Sequence, residues 1–278
     1  MLIVDSQVHI WPADQPNRRL DPDYRTRPPY TYESLLSAMA EAGVDGAILV
    51  PPSFDGDRND YALEAVRKHP DRFAIMGRVA LETGKAQPAL SQWKDQPGML
   101  GVRLTFHRDK DRPWLTDGTA DWFWPEAERY GIPVMVHAPE RISVVHQIAA
   151  RHPGLTIIYD HMAFARETMD DRAMARVQEL LPLAALPNVF VKVSALPCYS
   201  TEPYPFKNLR EPLKVVIDAF GPRRSFWGSD ITRVPKSCSY RQVVTQFTEE
   251  LDFLSSDDLD WIMGKALAAC LNWSPAST

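Results

Sequence analysis

The chain has 278 residues, of which 45% are hydrophobic and 24% charged, a composition typical of a globular protein. The net charge is −5 and the basic residues form no run, which argues against a nucleic acid or an anionic membrane as the partner. Three scattered cysteines, Cys198, Cys238 and Cys270, favour free thiols over a disulfide framework. Because the sequence has neither a basic leader nor an apolar stretch of roughly 18 residues, we expect a cytoplasmic protein.

Eight short apolar runs alternate with amphipathic stretches along the chain. Most of the runs are continuously apolar, which is typical of parallel strands covered by helices. We predict strands at Leu2–His9, Ala47–Pro51, Phe73–Val79, Leu100–Phe106, Pro133–His137, Leu155–His161, Val189–Ser194 and Ser225–Asp230.

The stretches between the strands have helical periodicity. Thr31–Ala42 places Leu35, Leu36 and Met39 on one face and stops at Gly43. Further helices are predicted at Asp60–His69, Trp122–Tyr130, Ile142–Arg151, Asp171–Leu181, Glu211–Phe220 and Tyr240–Leu251.

This alternation predicts the α/β class and, within it, a (β/α)8 TIM barrel, which typically needs roughly 250 residues. A doubly wound open sheet is the competing fold, but no G-x-G-x-x-G motif follows the first strand and the sequence has no P-loop. No linker or composition shift divides the chain. We therefore expect residues 1–278 to form a single barrel domain.

Polar residues recur where five of the predicted strands end. Catalytic groups of barrel enzymes lie at this C-terminal end of the strands. Each residue alone has an ordinary structural explanation, but together they would meet at one mouth. The residues are Gln7 and His9, Arg103, His137, Asp160 and His161, and Gly228-Ser229-Asp230.

Three connections after strand ends are unusually long, and such loops commonly shape binding sites. They are Trp11–Tyr30, Arg108–Asp121 and Ala195–Asn208.

Five segments carry a likeness to a known family: Asp5-Ser6-Gln7-Val8-His9-Ile10-Trp11, Gly101-Val102-Arg103, Val136-His137, Asp160-His161-Met162 and Trp227-Gly228-Ser229-Asp230. In this order, they resemble the amidohydrolase superfamily. The most similar branch is the amidohydrolase-2 group, which includes sugar lactonases and 2-pyrone-4,6-dicarboxylate lactonase. The resemblance extends over residues 2 to 272 and implies a barrel hydrolase that acts on a lactone.

The resemblance also implies a set of candidate metal ligands. In the superfamily, His-x-His on strand one binds metal together with histidines from strands five and six and an aspartate from strand eight. Gln7 stands in place of the first histidine, and an amide oxygen binds zinc less well than an imidazole does. We therefore expect no metal, with zinc or another divalent ion as the alternative. The ligands would then be His9, His137, His161 and Asp230.

We expect hydrolysis of a lactone that bears a carboxylate, in a catabolic reaction. Asp230 would take a proton from the attacking water, and N–H donors would stabilise the charge on the carbonyl oxygen. Arg103 would bind the substrate carboxylate with its planar guanidinium. The candidate donors are His9, His137 and His161, and the further substrate-binding candidates are Gln7, Trp11, Arg233 and Tyr199.

Three alternatives stay open. The first is a metal-dependent decarboxylase of an aromatic or unsaturated acid, against which Gln7 counts. The second is a lactone isomerase, which needs the same donors but excludes water. The third is a binding protein that has lost catalysis, against which the intact Asp230 and His161 count. A homo-oligomer is compatible with each of them.

Overall fold

A computed structural model describes residues 1–82, 90–165 and 168–276. Within them, each strand pairs in parallel with the next, and β1 lies beside β8, where the Asp230 amide donates to the Gln7 carbonyl (2.9 Å). The predicted (β/α)8 TIM barrel is therefore confirmed, and its organisation as one domain stays a prediction. The strands are β1 (Val4–Val8), β2 (Gly46–Leu49), β3 (Phe73–Gly77), β4 (Met99–Thr105), β5 (Val134–His137), β6 (Ile157–Tyr159), β7 (Val189–Ser194) and β8 (Ser225–Gly228).

Helices cover the outside of the barrel. The first is capped by the Thr31 side chain, which accepts from the Ser34 amide, and it ends at Gly43, whose φ of 76° suits glycine. In the described part of the chain, no helix is long and apolar enough to cross a bilayer. The helices are Tyr32–Ala42, Asp60–Lys68, Phe123–Arg129, Ile142–Arg151, Asp171–Met174, Val177–Leu180, Arg210–Phe220, Tyr240–Thr248, Ser256–Asp260 and Ala266–Leu271.

The predicted helix Asp171–Leu181 is wrong as a single element. The structure has two four-residue helices there, Asp171–Met174 and Val177–Leu180. A 3₁₀ turn that contains Pro182 follows them, and proline lacks the N–H that would continue an α-helix.

The barrel interior changes from apolar to polar along the strands. Near the N-terminal ends, Phe190 and Phe226 stack with their ring centres 5.4 Å apart, inside an apolar cluster that the C-terminal helix also joins. Lys192 lies two residues beyond Phe190, on the same face of β7, and is fully buried. The polar groups therefore lie above a packed apolar layer, at the C-terminal mouth.

Several of the predicted strands end earlier than expected, and β6 and β8 are two of them. β6 stops before His161 and β8 stops before Asp230, because these two residues have φ angles of 55° and 49°. A left-handed backbone costs a non-glycine residue roughly 1–2 kcal/mol and cannot continue a strand. Such strained residues cluster at functional sites. Turns, rather than strands, therefore direct both side chains.

A buried carboxylate holds the turn that carries Asp230. Asp5 accepts hydrogen bonds from the Ser229 amide (2.9 Å), the Ser229 hydroxyl and the Tyr240 phenol (2.6 Å). The backbone N–H of Gln7 also donates to Asp5 (3.0 Å). Burial raises the pKa of Asp5, and these hydrogen bonds oppose that shift. Asp5 thus ties β1 to the turn after β8.

The free energy of unfolding of the Tyr240→Phe variant should be about 1.5–3 kcal/mol lower than that of the wild type, since the variant leaves the buried Asp5 with one hydrogen-bond donor fewer. Urea unfolding followed by circular dichroism would measure the difference. Tyr204→Phe is the matched control, because the Tyr204 phenol bonds to Thr245 at a partly exposed position. Equal losses in the two variants would contradict the role given to Asp5.

Candidate active site

An open cavity lies at the C-terminal mouth of the barrel. Residues from β4 and β5, from the position directly after β1 and from the turns after β6 and β8 reach it, so residues far apart in the sequence share one space. Six of the predicted site residues line this cavity: His9, Arg103, His137, His161, Asp230 and Arg233.

The other three predicted residues surround the cavity without lining it. Gln7 is fully buried beside His9. Trp11 packs edge-on against Phe54, a lining residue, with ring centres 5.4 Å apart. Tyr199 is fully buried, and its ring centre lies 5.8 Å from the Arg233 guanidinium carbon. These positions suit support of the site better than direct contact with a ligand.

Loop residues outside the predicted site complete the wall. Tyr24 and Phe54 stack with ring centres 4.3 Å apart and line the cavity, as do Arg27 and His107. Arg27 donates to the Thr232 carbonyl (2.8 Å), which ties the loop after β1 to the loop after β8. Because β2 ends without a polar residue, its sequence gave no signal that the following loop reaches the mouth.

The sequence-based prediction of the site did not include Lys192, although a lysine within the apolar run of β7 is a sign of a buried, paired charge. Its Nζ lies 2.9 Å from Asp160 Oδ1, and Arg103 Nε lies 3.0 Å from Asp160 Oδ2. Burial alone would raise the pKa of Asp160, but these two cations hold it well below its ordinary range. Arg103 also donates to the Thr105 hydroxyl (2.7 Å), which leaves further N–H groups for a ligand.

Asp230 is a buried carboxylate with one engaged oxygen. Its Oδ2 accepts from Arg233 (3.0 Å), whereas its Oδ1 has no hydrogen-bond partner among the residues described. Burial favours a raised pKa, but Arg233, His9 and His161 outweigh it and keep the pKa of Asp230 below its ordinary value. The side chain is therefore ionised at neutral pH and offers one oxygen to a proton.

The imidazoles around Asp230 are neutral at pH 7. Burial lowers the pKa of His9 to about 4 and that of His161 to about 3, and it lowers the pKa of His137 well below the ordinary value. The rings of His137 and His161 lie edge to face, with centres 5.4 Å apart. Neutral imidazoles in this position can donate or accept one hydrogen bond at each nitrogen.

The tautomer of His9 follows from its partner. Its Nδ1 lies 2.6 Å from the Val50 carbonyl, and a carbonyl only accepts, so Nδ1 carries the hydrogen. Neutral His9 then has a lone pair on Nε2, which lies 3.5 Å from Asp230 Oδ1. This tautomer does not suit the donor role predicted for His9 and leaves that role to His137 and His161.

Acidification from pH 6.5 towards pH 4 should lower the stability of the protein. The unfolded chain protonates its histidines near 6.5, whereas folded His9 does so only at about 4, so acid favours the unfolded state within this window. Urea unfolding at a series of pH values would measure the slope. The His9→Gln variant should show a smaller dependence of stability on pH. Equal slopes in wild type and variant would contradict the lowered pKa of His9.

The polar groups at the mouth fit a divalent metal poorly. Among the described residues, no group of three or more His, Cys, Asp or Glu side chains could hold a metal ion. The lone pair of His9 Nε2 faces the Gln7 amide nitrogen at 3.2 Å, and Asp230 Oδ2 faces the Arg233 cation at 3.0 Å. Donors thus already occupy two of the candidate ligand atoms.

The charge of the wall suits an anion. Apart from the histidines, the charged side chains that line the cavity within the described ranges are Arg27, Arg103, Arg233 and Asp230. Three guanidinium groups thus face one carboxylate. Arginine binds carboxylates in a planar, bidentate manner.

Known proteins include relatives in sequence and proteins with the same fold. An L-fucono-1,5-lactonase from Burkholderia ambifaria is 27% identical over 241 residues, which is 82% of this chain and 79% of that protein. An amidohydrolase from Burkholderia multivorans, solved with bound zinc, has a TM-score of 0.80 at 22% identity and covers 98% of this chain and 99% of its own.

A second solved structure has the same fold. It is a probable 2-pyrone-4,6-dicarboxylic acid hydrolase from Acinetobacter baumannii with citric acid bound, with a TM-score of 0.78 at 20% identity, covering 98% of this chain and 100% of its own. The amidohydrolase family model matches residues 4–268. That match takes in every strand of the barrel and all but a few residues at either end of the predicted resemblance, so the chain belongs to the amidohydrolase family.

Proposed function

We propose that the protein hydrolyses a lactone that carries a carboxylate, using water activated by Asp230 and no metal ion. One observation carries the proposal: among the described residues, three arginines line a cavity together with one ionised carboxylate, an oxygen of which has no hydrogen-bond partner there. The lactonase relative in Burkholderia supports this class of reaction.

The reaction follows from the contacts. Arg103 binds the substrate carboxylate through N–H groups that Asp160 and Thr105 do not use. A water at Asp230 Oδ1 gives up a proton to that oxygen as its own oxygen attacks the lactone carbonyl carbon. N–H groups of His137 and His161 stabilise the charge on the carbonyl oxygen. The ring C–O bond then breaks, and the leaving oxygen takes the proton back from Asp230.

Two observations favour hydrolysis over the alternatives. The cavity shares Tyr24, Phe54 and His107 with a wider outer cleft, which admits water and so argues against an isomerase. Donors at His9 and Asp230 compete with a metal ion, which argues against a metal-dependent decarboxylase. The zinc-bound relative shares the fold, and metal analysis of this protein separates the two modes.

A panel of carboxylated lactones in a pH-indicator assay tests the proposal, with each acid paired to its methyl ester. We expect acid release that a chelator leaves unchanged, and about tenfold or greater preference for the free acid, because a charged hydrogen bond contributes about 1.5–3 kcal/mol. Evolution of CO2, or turnover that requires a full equivalent of zinc, would overturn it.

Within the described residues, none of Cys198, Cys238 and Cys270 forms a disulfide, which suits a reducing compartment, and we propose the cytoplasm. A homo-oligomer stays a proposal, which size-exclusion chromatography with light scattering would test.

A further inference from the structure

Lys192 lies next to the site but does not line the cavity. Its side chain is fully buried in β7, and its Nζ donates to Gln7 Oε1 at 2.6 Å. An ammonium group has donors only, so the Gln7 atom that faces it is the carbonyl oxygen. The orientation of the Gln7 amide is therefore fixed by chemistry.

This orientation determines what His9 meets. With its oxygen on Lys192, the Gln7 amide presents its nitrogen to His9 Nε2 at 3.2 Å. The other ring nitrogen of His9 donates to the Val50 carbonyl at 2.6 Å. His9 thus donates from Nδ1 and accepts at Nε2, and both contacts keep the hydrogen on Nδ1. Val50 favours this tautomer directly, and Lys192 favours it through the Gln7 side chain.

We infer that Lys192 is a positioning residue, which fixes the Gln7 amide so that His9 cannot donate to Asp230 Oδ1. That oxygen lies 3.5 Å from His9 Nε2 and has no hydrogen-bond partner in the described ranges. If the amide flipped, its oxygen would face His9 Nε2 and compete with the Val50 carbonyl for the ring hydrogen, so that the hydrogen would no longer be confined to Nδ1. His9 could then donate to Asp230 Oδ1 and occupy the atom that takes the proton from water.

Two variants separate this role from simple structural support. Lys192→Met removes the ammonium at similar length and lets the Gln7 amide flip, while Arg103 still pairs with Asp160. Gln7→Glu keeps a partner for Lys192 but removes the N–H that faces His9. Lys207→Met is the control, since Lys207 lines a different groove at the surface.

The tautomer of His9 is read from its ¹⁵N chemical shifts by NMR, which needs no substrate. In wild type and Lys207→Met the hydrogen should be confined to Nδ1. Both test variants should carry a hydrogen on Nε2 in a measurable fraction of the molecules, because Val50 still accepts from Nδ1 in the remainder. A wild-type hydrogen on Nε2, or an unchanged tautomer in Gln7→Glu, would overturn the inference. If Lys192→Met fails to fold, Gln7→Glu decides alone.

Kinetics give the second readout, which rests on the proposed lactone hydrolysis. Both variants should lower kcat by about 10- to 100-fold with little change in KM, because the base is blocked while the arginines stay in place. Unchanged kcat together with a changed tautomer would contradict the catalytic part. A wild type inactive on every lactone would instead count against the proposed function and leave the NMR result standing.

Discussion

The Asp230→Asn variant should lose about 10²- to 10⁴-fold in kcat for lactone opening while it binds ligand nearly as well as the wild type. An amide has the same shape as the carboxylate but cannot take a proton from water. Its oxygen can still accept from Arg233, which lies 3.0 Å from Asp230 Oδ2. Steady-state kinetics would give kcat, and calorimetry with a carboxylate product would give the affinity.

Asp55→Asn is the matched control for this experiment. Asp55 is also a buried carboxylate and pairs with Arg18 in the loops of the mouth, but it does not line the cavity. Its variant should retain turnover within a few-fold of the wild type. Retained turnover in Asp230→Asn would remove Asp230 as the base, and an equal loss in both variants would point to general loss of structure.

The Arg103→Gln variant should raise KM for a carboxylated lactone by about 10- to 100-fold, because a charged hydrogen bond contributes about 1.5–3 kcal/mol. The methyl ester of the same lactone lacks the charge, so its KM should change far less. Lys192 still neutralises Asp160 in this variant, at 2.9 Å, so the fold should persist. Measuring kcat and KM for the acid and the ester gives the comparison.

Arg112→Gln provides the control, since Arg112 lies in the outer cleft and is partly exposed. Its variant should leave both substrates almost unaffected. If Arg103→Gln changed KM equally for the acid and the ester, Arg103 would act on the shape of the site and not on the carboxylate of the substrate.

The barrel could be predicted from the sequence because its interior strands are continuous apolar runs. The same regularity made polar residues at the strand ends stand out, so His9, His137 and Asp230 were found. The directions of the His161 and Asp230 side chains depend on left-handed backbone at these two residues, with φ of 55° and 49°, and neither residue type predicts such a turn.

Residues that act through tertiary contacts were harder to find. Lys192 contacts Gln7 although the two are 185 positions apart, a closeness that only barrel closure creates. Tyr24 and Phe54 come from loops whose path depends on their own packing, as their stacked rings illustrate. The sequence around a residue does not show which distant residue its side chain will contact, nor how a long loop will pack.

The origin of the oxygen in the product tests the central claim most directly. A single turnover of a carboxylated lactone would be run in H2¹⁸O, with a chelator present and the metal content of the sample quantified, and the product analysed by mass spectrometry. We expect one ¹⁸O in the new carboxylate of the ring-opened acid, in metal-free protein. An unlabelled isomer, loss of CO2 or dependence on bound metal would contradict the assignment of this cavity to water-driven lactone opening.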